Sequence, residues 1–134
     1  MDVAVDVDLL FLVGRLLAAL MYLLMGVNHF VHLPELIDYA EGRRTPVPLL
    51  TVPITGLALF GGALSIGLGV YPVAGVITVV VFLLLAALLV HRPLAGDNAY
   101  TAQQEMINMM RNFALAGTTL VLLAKPDWPY SLMP

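Results

Sequence analysis

Side chains that can bind a ligand or carry a proton are concentrated in three short stretches of an otherwise apolar chain. They are Asn28, His29 and His32, then His91, and then Gln104, Glu105, Asn108, Arg111 and Asn112. Imidazole is the side chain that titrates near neutral pH, and carboxylate, guanidinium and amide groups can hold the oxygen atoms of a ligand. If the fold gathers these residues, the sequence predicts a polar pocket.

Such a pocket has several possible uses. Its groups could bind the carbonyl oxygens of a quinone and shuttle its protons, or a metal ion could bind to His29, His32 and Glu105. Two histidines on facing helices could also ligate a b-type haem, although no pair lies at mid-membrane depth. The set could equally be a hydrogen-bonded network that only keeps the last helix in register. No cofactor is certain from the sequence. Of the three ligands, a quinone is favoured over a metal ion and a haem, and no metal site is predicted.

The composition shows which elements must position these residues. The chain has 134 residues, of which 60% are hydrophobic and 11% are charged, whereas a soluble domain carries about 25% charged residues. Lipid must therefore cover part of the surface, and the net charge of −3 offers nothing to nucleic acid. The chain lacks cysteine, which excludes thiolate zinc sites, cysteine-bound iron–sulfur clusters and a thiol–disulfide relay within it.

Four apolar runs are long enough to span a bilayer, and they predict helices at about residues 9–28, 49–70, 73–91 and 103–124. Strands are not expected, because no run alternates with period two and lipid tolerates only helices or closed barrels. The predicted fold is a single domain, 1–134. It is an all-α integral membrane protein, an antiparallel four-transmembrane-helix bundle with a short interfacial helix in the first loop.

The connections decide where the polar residues meet. Pro34 could open the short helix and Gly42 could end it, with Tyr39 at the edge of its apolar face. Antiparallel helices would place all three polar stretches at one membrane face, and the stripe on the fourth helix should face the bundle. Thr118 and Thr119 continue this stripe toward the membrane centre.

Arginine and lysine residues give an orientation. Arg43, Arg44, Arg92 and Arg111 lie on or near the side of the first and third loops, whereas Lys125 and Arg15 lie on the side of the termini. The positive-inside rule then predicts a multi-pass protein of the cytoplasmic membrane with both termini outside.

Arg15 is the most costly residue of the sequence, because its charge lies inside the first apolar run. It could be structural, extending to the near surface or pairing with Asp8, or it could anchor an anionic or quinone-like ligand. Gly61, Ser65 and Gly69 repeat every four residues in the second run and share one helix face. Such small residues favour close helix packing, either within the bundle or between two copies of the chain.

Seven short segments spread along the chain form a recognisable order: residues 14–17 (GRLL), 26–30 (GVNHF), 46–48 (PVP), 61–62 (GG), 67–72 (GLGVYP), 104–108 (QEMIN) and 111–117 (RNFALAG). Taken together, they resemble the DoxX family of small four-helix membrane proteins. The resemblance implies a four-helix membrane bundle, and the family takes its name from membrane subunits associated with thiosulfate:quinone oxidoreductase. It supplies no catalytic residues to transfer to this sequence.

Together these observations predict a quinone-linked or oxidoreductase-associated membrane subunit with a polar pocket at one end of the bundle. Redox-complex subunits and the lipid bilayer are its expected partners, and no self-contained catalytic motif is present. The alternatives are a non-enzymatic structural or assembly subunit and, less favoured, a small transporter.

Overall fold

Asp6 starts the first helix, because its carboxylate accepts hydrogen bonds from the backbone N–H groups of Asp8 and Leu9 at 3.0 and 3.1 Å. The structure is a computed structural model that describes residues 5–133. The first helix, α1, spans Val7–Val31. The short helix predicted in the first loop is present as α2, Leu33–Gly42, with a proline in its first turn.

Two of the remaining helices begin at a proline, one of these ends at a glycine, and the last helix begins after a capping asparagine. Helix α3 (Pro48–Leu68) ends at Gly69, whose φ of 67° is left-handed, and α4 (Pro72–Leu85) follows directly. A π-helical turn, Ala86–Val90, extends α4. The Asn98 side chain accepts a hydrogen bond from Thr101 N at 2.9 Å and starts α5 (Ala99–Leu120), which continues as a 3₁₀ turn, Val121–Ala124.

Among residues 5–133 the chain is helical without strands, and four helices are long and apolar enough to cross a membrane. These spans are Val7–Val31, Pro48–Leu68, Pro72–Val90 and Ala99–Ala124. The predicted fold class, a four-helix membrane bundle, is therefore confirmed. Helix α5 begins four residues before the predicted start, because Asn98 caps it where the sequence suggested a loop.

Small residues bring the helices together. A Cβ atom on Gly26 of α1 would lie 2.9 Å from the backbone nitrogen of Phe60, so α1 and α3 approach at this glycine. A Cβ on Gly62 of α3 would lie 2.7 Å from Val79 Cγ2 of α4. In the bundle α1 packs against α3, α3 packs against α4, and α4 packs against α5.

The small-residue face of α3 is used mainly inside the chain. Ser65 Oγ donates to the carbonyl of Val70 at 2.6 Å, and a Cβ on Gly69 would collide with Ser131. Gly61 is the exception, since a Cβ there would meet nothing within 4 Å. Self-association through Gly61, Ser65 and Gly69 therefore stays a prediction; Gly61 is exposed, Ser65 is half-buried and Gly69 is buried.

Candidate functional site

The ends of α1 and α4 and the starts of α3 and α5 lie on one side of the bundle, together with α2. We call this side the polar end. Its centre is Glu105 of α5, which is 5% exposed. The Tyr39 hydroxyl donates to Glu105 Oε1, His91 Nδ1 lies 2.8 Å from Glu105 Oε2, and Arg43 Nε lies 3.9 Å from Oε1. The carboxylate thus joins α2, the end of α4 and α5.

Arg43 fixes the neighbouring loop. Its guanidinium is buried and donates from Nε to the carbonyl of Val90 at 3.0 Å and from Nη1 to Asp97 Oδ1 at 2.8 Å. A further bond runs from Nη2 to the carbonyl of Arg92. Asp97 Oδ2 in turn accepts from the backbone N–H of Leu94 at 2.8 Å. Arg43 therefore holds both the last turn of α4 and the connection to α5.

The network shifts the titration of two groups that lie outside the spans. Burial, and then the hydrogen bond to Glu105, raise the pKa of Tyr39, so its hydroxyl stays a protonated donor at neutral pH. The hydrogen bond from Arg43, and then the one from the Leu94 N–H, lower the pKa of Asp97. Both shifts favour the protonation states that hold the network together.

A π-helical turn positions His91. The His91 N–H donates to the carbonyl of Ala86 at 2.9 Å, five residues back, whereas an α-helix would use the residue four back. The extra residue in this turn rotates the end of α4 relative to a regular helix. As a result, the His91 ring meets Glu105 of α5 and lies 6.3 Å from the Tyr39 ring, centroid to centroid.

Beside this network lies a cavity of about 270 Å³, which we call the histidine cavity. Its wall is mostly apolar, and its polar members are His29, Tyr39, Thr45, Thr51, Thr55, His91 and Asn112. A mostly apolar wall with a few polar groups is typical of small-molecule sites, whose volumes start at about 300 Å³. The histidine cavity therefore matches one ring with short substituents.

Each histidine of this cavity has one ring nitrogen occupied. His29 Nδ1 lies 2.8 Å from the carbonyl of Met25, which can only accept, so Nδ1 carries a proton and Nε2 is the nitrogen left for a ligand. Its ring also packs edge-on against Phe82, with centroids 5.8 Å apart. His91 uses Nδ1 toward Glu105, so its Nε2 is likewise the nitrogen left for a ligand.

The backbone conformation at the end of α2 positions Thr45 on the wall of the histidine cavity. The backbone N–H of Thr45 donates to the carbonyl of Ala40 at 2.9 Å, and that of Arg44 to Glu41 at 2.9 Å, which together form a Schellman motif. Arg44 adopts φ 57°, a left-handed conformation that glycine usually supplies. Thr45 Oγ1 is buried and has no hydrogen-bond partner.

The structure brings together some of the predicted site residues and separates others. His29, His91 and Asn112 line the histidine cavity, and Glu105 holds His91. Outside this cavity lie Asn28, His32, Gln104, Asn108 and Arg111. His32 is exposed and pairs only with Asn28 Oδ1, at 2.9 Å, so His29, His32 and Glu105 do not assemble as the alternative metal site. Within residues 5–133 no three His, Asp or Glu side chains are grouped to hold a metal ion.

The prediction that the whole polar stripe of α5 faces the bundle is corrected. Gln104 and Arg111 are exposed, Asn108 is half-buried, and only Glu105, Asn112 and Thr119 of the polar residues are buried. The buried positions follow steps of seven residues, which return to one face of a helix every two turns. Gln104 and Arg111 each precede a buried position by one residue and therefore point elsewhere.

Arg15 does not line the histidine cavity, and the pairing with Asp8, one of the alternatives that the sequence left open, does not form. Asp8 instead pairs with Lys125 at 2.9 Å. The Arg15 guanidinium, 1% exposed, donates to the carbonyls of Pro129 and Tyr130 at 3.1 Å and to Ser131 Oγ at 3.3 Å. Its partners are uncharged acceptors of residues 125–133, which we call the tail.

Sequence reasoning missed Tyr39, Arg43, Thr45 and Asp97 as members of the site. Tyr39 was placed at the edge of an apolar helix face, and Arg43 was used only for the orientation. The available signal was scarcity: in a chain with 11% charged residues, each charge in a short connection has few partners to choose from. Which charges pair, however, depends on a contact between residues 54 positions apart.

Comparison with known proteins gives the family. The sequence model of the DoxX family matches residues 10–92, more than half of the chain, which includes His29, Tyr39, Arg43 and His91. Helix α5, with Glu105 and Asn112, lies beyond the matched range. Neither the curated proteins nor the solved structures gave a match. The order of apolar helices, the family match and the four spans agree, and the chain belongs to the DoxX family of integral membrane proteins.

Proposed function

We propose that this protein is a membrane subunit that binds a quinone-like headgroup in the histidine cavity. The observation that carries the proposal is His91: it lines this cavity and is held through Nδ1, at 2.8 Å, by the buried carboxylate of Glu105. A carboxylate on one ring nitrogen fixes the orientation and the tautomer of the ring. Nε2 can then accept a hydrogen bond from a quinol hydroxyl.

The same arrangement supports proton transfer at the bound headgroup. When a quinol hydroxyl gives its proton to His91 Nε2, the imidazolium that forms is stabilised by Glu105, and the Tyr39 hydroxyl keeps a hydrogen bond on the second side of the carboxylate. Exchange of electrons falls to a flavin- or haem-bearing partner subunit. This chain itself binds the headgroup and accepts its proton.

The test measures binding of a short-tailed 1,4-benzoquinone and its quinol to the purified protein in lipid nanodiscs, by calorimetry. His91→Gln should weaken quinol binding about tenfold, the effect of losing one good hydrogen bond to a charged or basic group. His32→Gln is the matched control, since His32 is exposed and outside the cavity wall. Wild-type protein that binds neither form would refute the proposal.

A second candidate is a structural or assembly subunit, and one observation favours it. Arg43 and Glu105 are both buried, and the bonds that join them to Tyr39, His91 and Asp97 connect three elements. A network of this kind can serve only to hold the polar end in shape. In that case His91→Gln would lower the melting temperature, and the wild-type protein would show no saturable quinol binding.

A further inference from the structure

Asn112 is a polar residue of the histidine cavity that takes no part in the Glu105 network. It lies on α5, lines the cavity and is 7% exposed. No hydrogen bond among residues 5–133 involves its amide, although buried amides are almost always paired. A buried amide without a protein partner is a group that a ligand can satisfy.

The amide borders open space and is not enclosed by protein. In the described part of the chain, two polar side-chain atoms have neither a hydrogen-bond partner nor accessible surface, Arg15 Nε and Thr45 Oγ1. The amide atoms of Asn112 also lack a partner but are not in this group, so they keep some accessible surface. Because the side chain is more than nine-tenths buried, the space that its polar atoms reach is that of the histidine cavity.

His91 and Asn112 lie at different heights of the histidine cavity. Glu105, which holds His91, and Asn112 are seven residues apart on one face of α5, so their Cα atoms are about 10 Å apart along the helix axis. Both His91 and Asn112 line the cavity, whose volume of about 270 Å³ matches one ring, so a single ring can lie between them.

We propose, building on the quinone-binding function above, that the ligand carries two ring oxygens, one bound at His91 and the other at Asn112. An amide has both a donor and an acceptor, so Asn112 can bind a carbonyl oxygen in the oxidised ring and a hydroxyl in the reduced ring. A neutral imidazole accepts from the hydroxyl, and an imidazolium donates to the carbonyl. The cavity therefore accommodates both redox forms of a dioxygenated ring and selects against a ring with one oxygen.

The test uses three probes with the same short alkyl tail: a 1,4-benzoquinone, its quinol kept under anaerobic conditions, and a phenol with a single oxygen. Binding to the full chain in nanodiscs is measured for the wild type, Asn112→Leu and Asn108→Leu. Asn108 is the matched control, because it is an asparagine one turn away on α5 that does not line the cavity. Asn112→Ala provides a second removal of the amide, in case the leucine does not fit.

The wild type should bind quinone and quinol about tenfold more tightly than the phenol, as one additional hydrogen bond implies. Both Asn112 variants should lose this preference and keep the affinity for the phenol, and Asn108→Leu should match the wild type. Asn112 variants that retain the preference, or a wild type that binds the phenol as tightly as the quinol, would overturn the two-oxygen proposal while leaving quinone binding intact. A wild type that binds none of the probes would overturn both proposals.

Discussion

At the scale of single residues, the Arg43–Asp97 ion pair makes the polar end sensitive to acid. The pKa of Asp97 is lowered in the folded protein, chiefly by the hydrogen bond from Arg43, so the pair stabilises the fold above the ordinary carboxyl pKa. This contribution is lost as pH falls through the lowered pKa of the folded state. We expect the melting temperature of the wild type to fall as pH decreases from about 5 to about 3.

The variant Asp97→Asn distinguishes the contribution of this ion pair to the pH dependence of the melting temperature from that of the other carboxylates. The variant should melt at a lower temperature than the wild type at neutral pH, and the difference should shrink in acid, where the wild type loses the charge as well. Asp127→Asn is the control, because Asp127 is an exposed residue of the tail. The interpretation fails if the two proteins differ by the same amount at every pH.

At the scale of elements, the spans could be predicted from sequence and the site geometry only in part. Each span is an apolar run long enough to cross a bilayer, a property of local composition that needs no tertiary contact. Pro34 in the first turn likewise acts locally, so the start of α2 was predictable, whereas the left-handed residue after its end is Arg44 and not Gly42. The π-helical turn before His91 has no such local signal, since Ala86–Val90 would also suit a regular helix.

The tail is held mainly by hydrogen bonds from one buried side chain of α1. Arg15 makes three hydrogen bonds to it, and its guanidinium carbon lies 5.4 Å from the centroid of the Trp128 ring. Trp128 also packs edge-on against Phe11, with centroids 5.4 Å apart. Hydrogen bonds from a charged group contribute about 1.5–3 kcal/mol each, which is more than neutral ones. Apart from the partly exposed Lys125–Asp8 pair, the other bonds between the tail and the helical part of the chain are neutral. Trp128 Nε1 donates to the carbonyl of Leu122 at 3.2 Å, and the Leu132 N–H donates to that of Leu68 at 3.0 Å.

Arg15→Met should therefore detach the tail while the four spans stay folded. Trp128 is the single tryptophan of the chain, so its fluorescence reports directly on the tail, and its emission should shift to longer wavelength in the variant. Lys125→Met is the control, because the partly exposed Lys125–Asp8 pair contributes about 1 kcal/mol or less. An emission spectrum unchanged in Arg15→Met would show that other contacts hold the tail.

At the scale of the whole molecule, the distribution of charge predicts on which side of the membrane the histidine cavity lies. Arg43, Arg44 and Arg92 lie at the polar end, and Arg111 lies in the half of α5 nearest to it, whereas Arg15 and Lys125 lie at the opposite end with the tail. The positive-inside rule then predicts that the polar end faces the cytoplasm. A quinone bound there would exchange protons with the cytoplasm.

The absence of cysteine from the natural sequence makes this orientation directly testable. Gly96→Cys places one thiol at the polar end, where a Cβ would meet nothing within 4 Å, and Asp127→Cys places one in the exposed part of the tail. A membrane-impermeant maleimide applied to intact cells should label Asp127→Cys and leave Gly96→Cys unlabelled until the membrane is permeabilised. The reverse pattern would place the histidine cavity on the outer side, and a quinone bound there would exchange protons with the outside. The two thiols test the same orientation, because the polar end and the tail lie at opposite ends of the four spans.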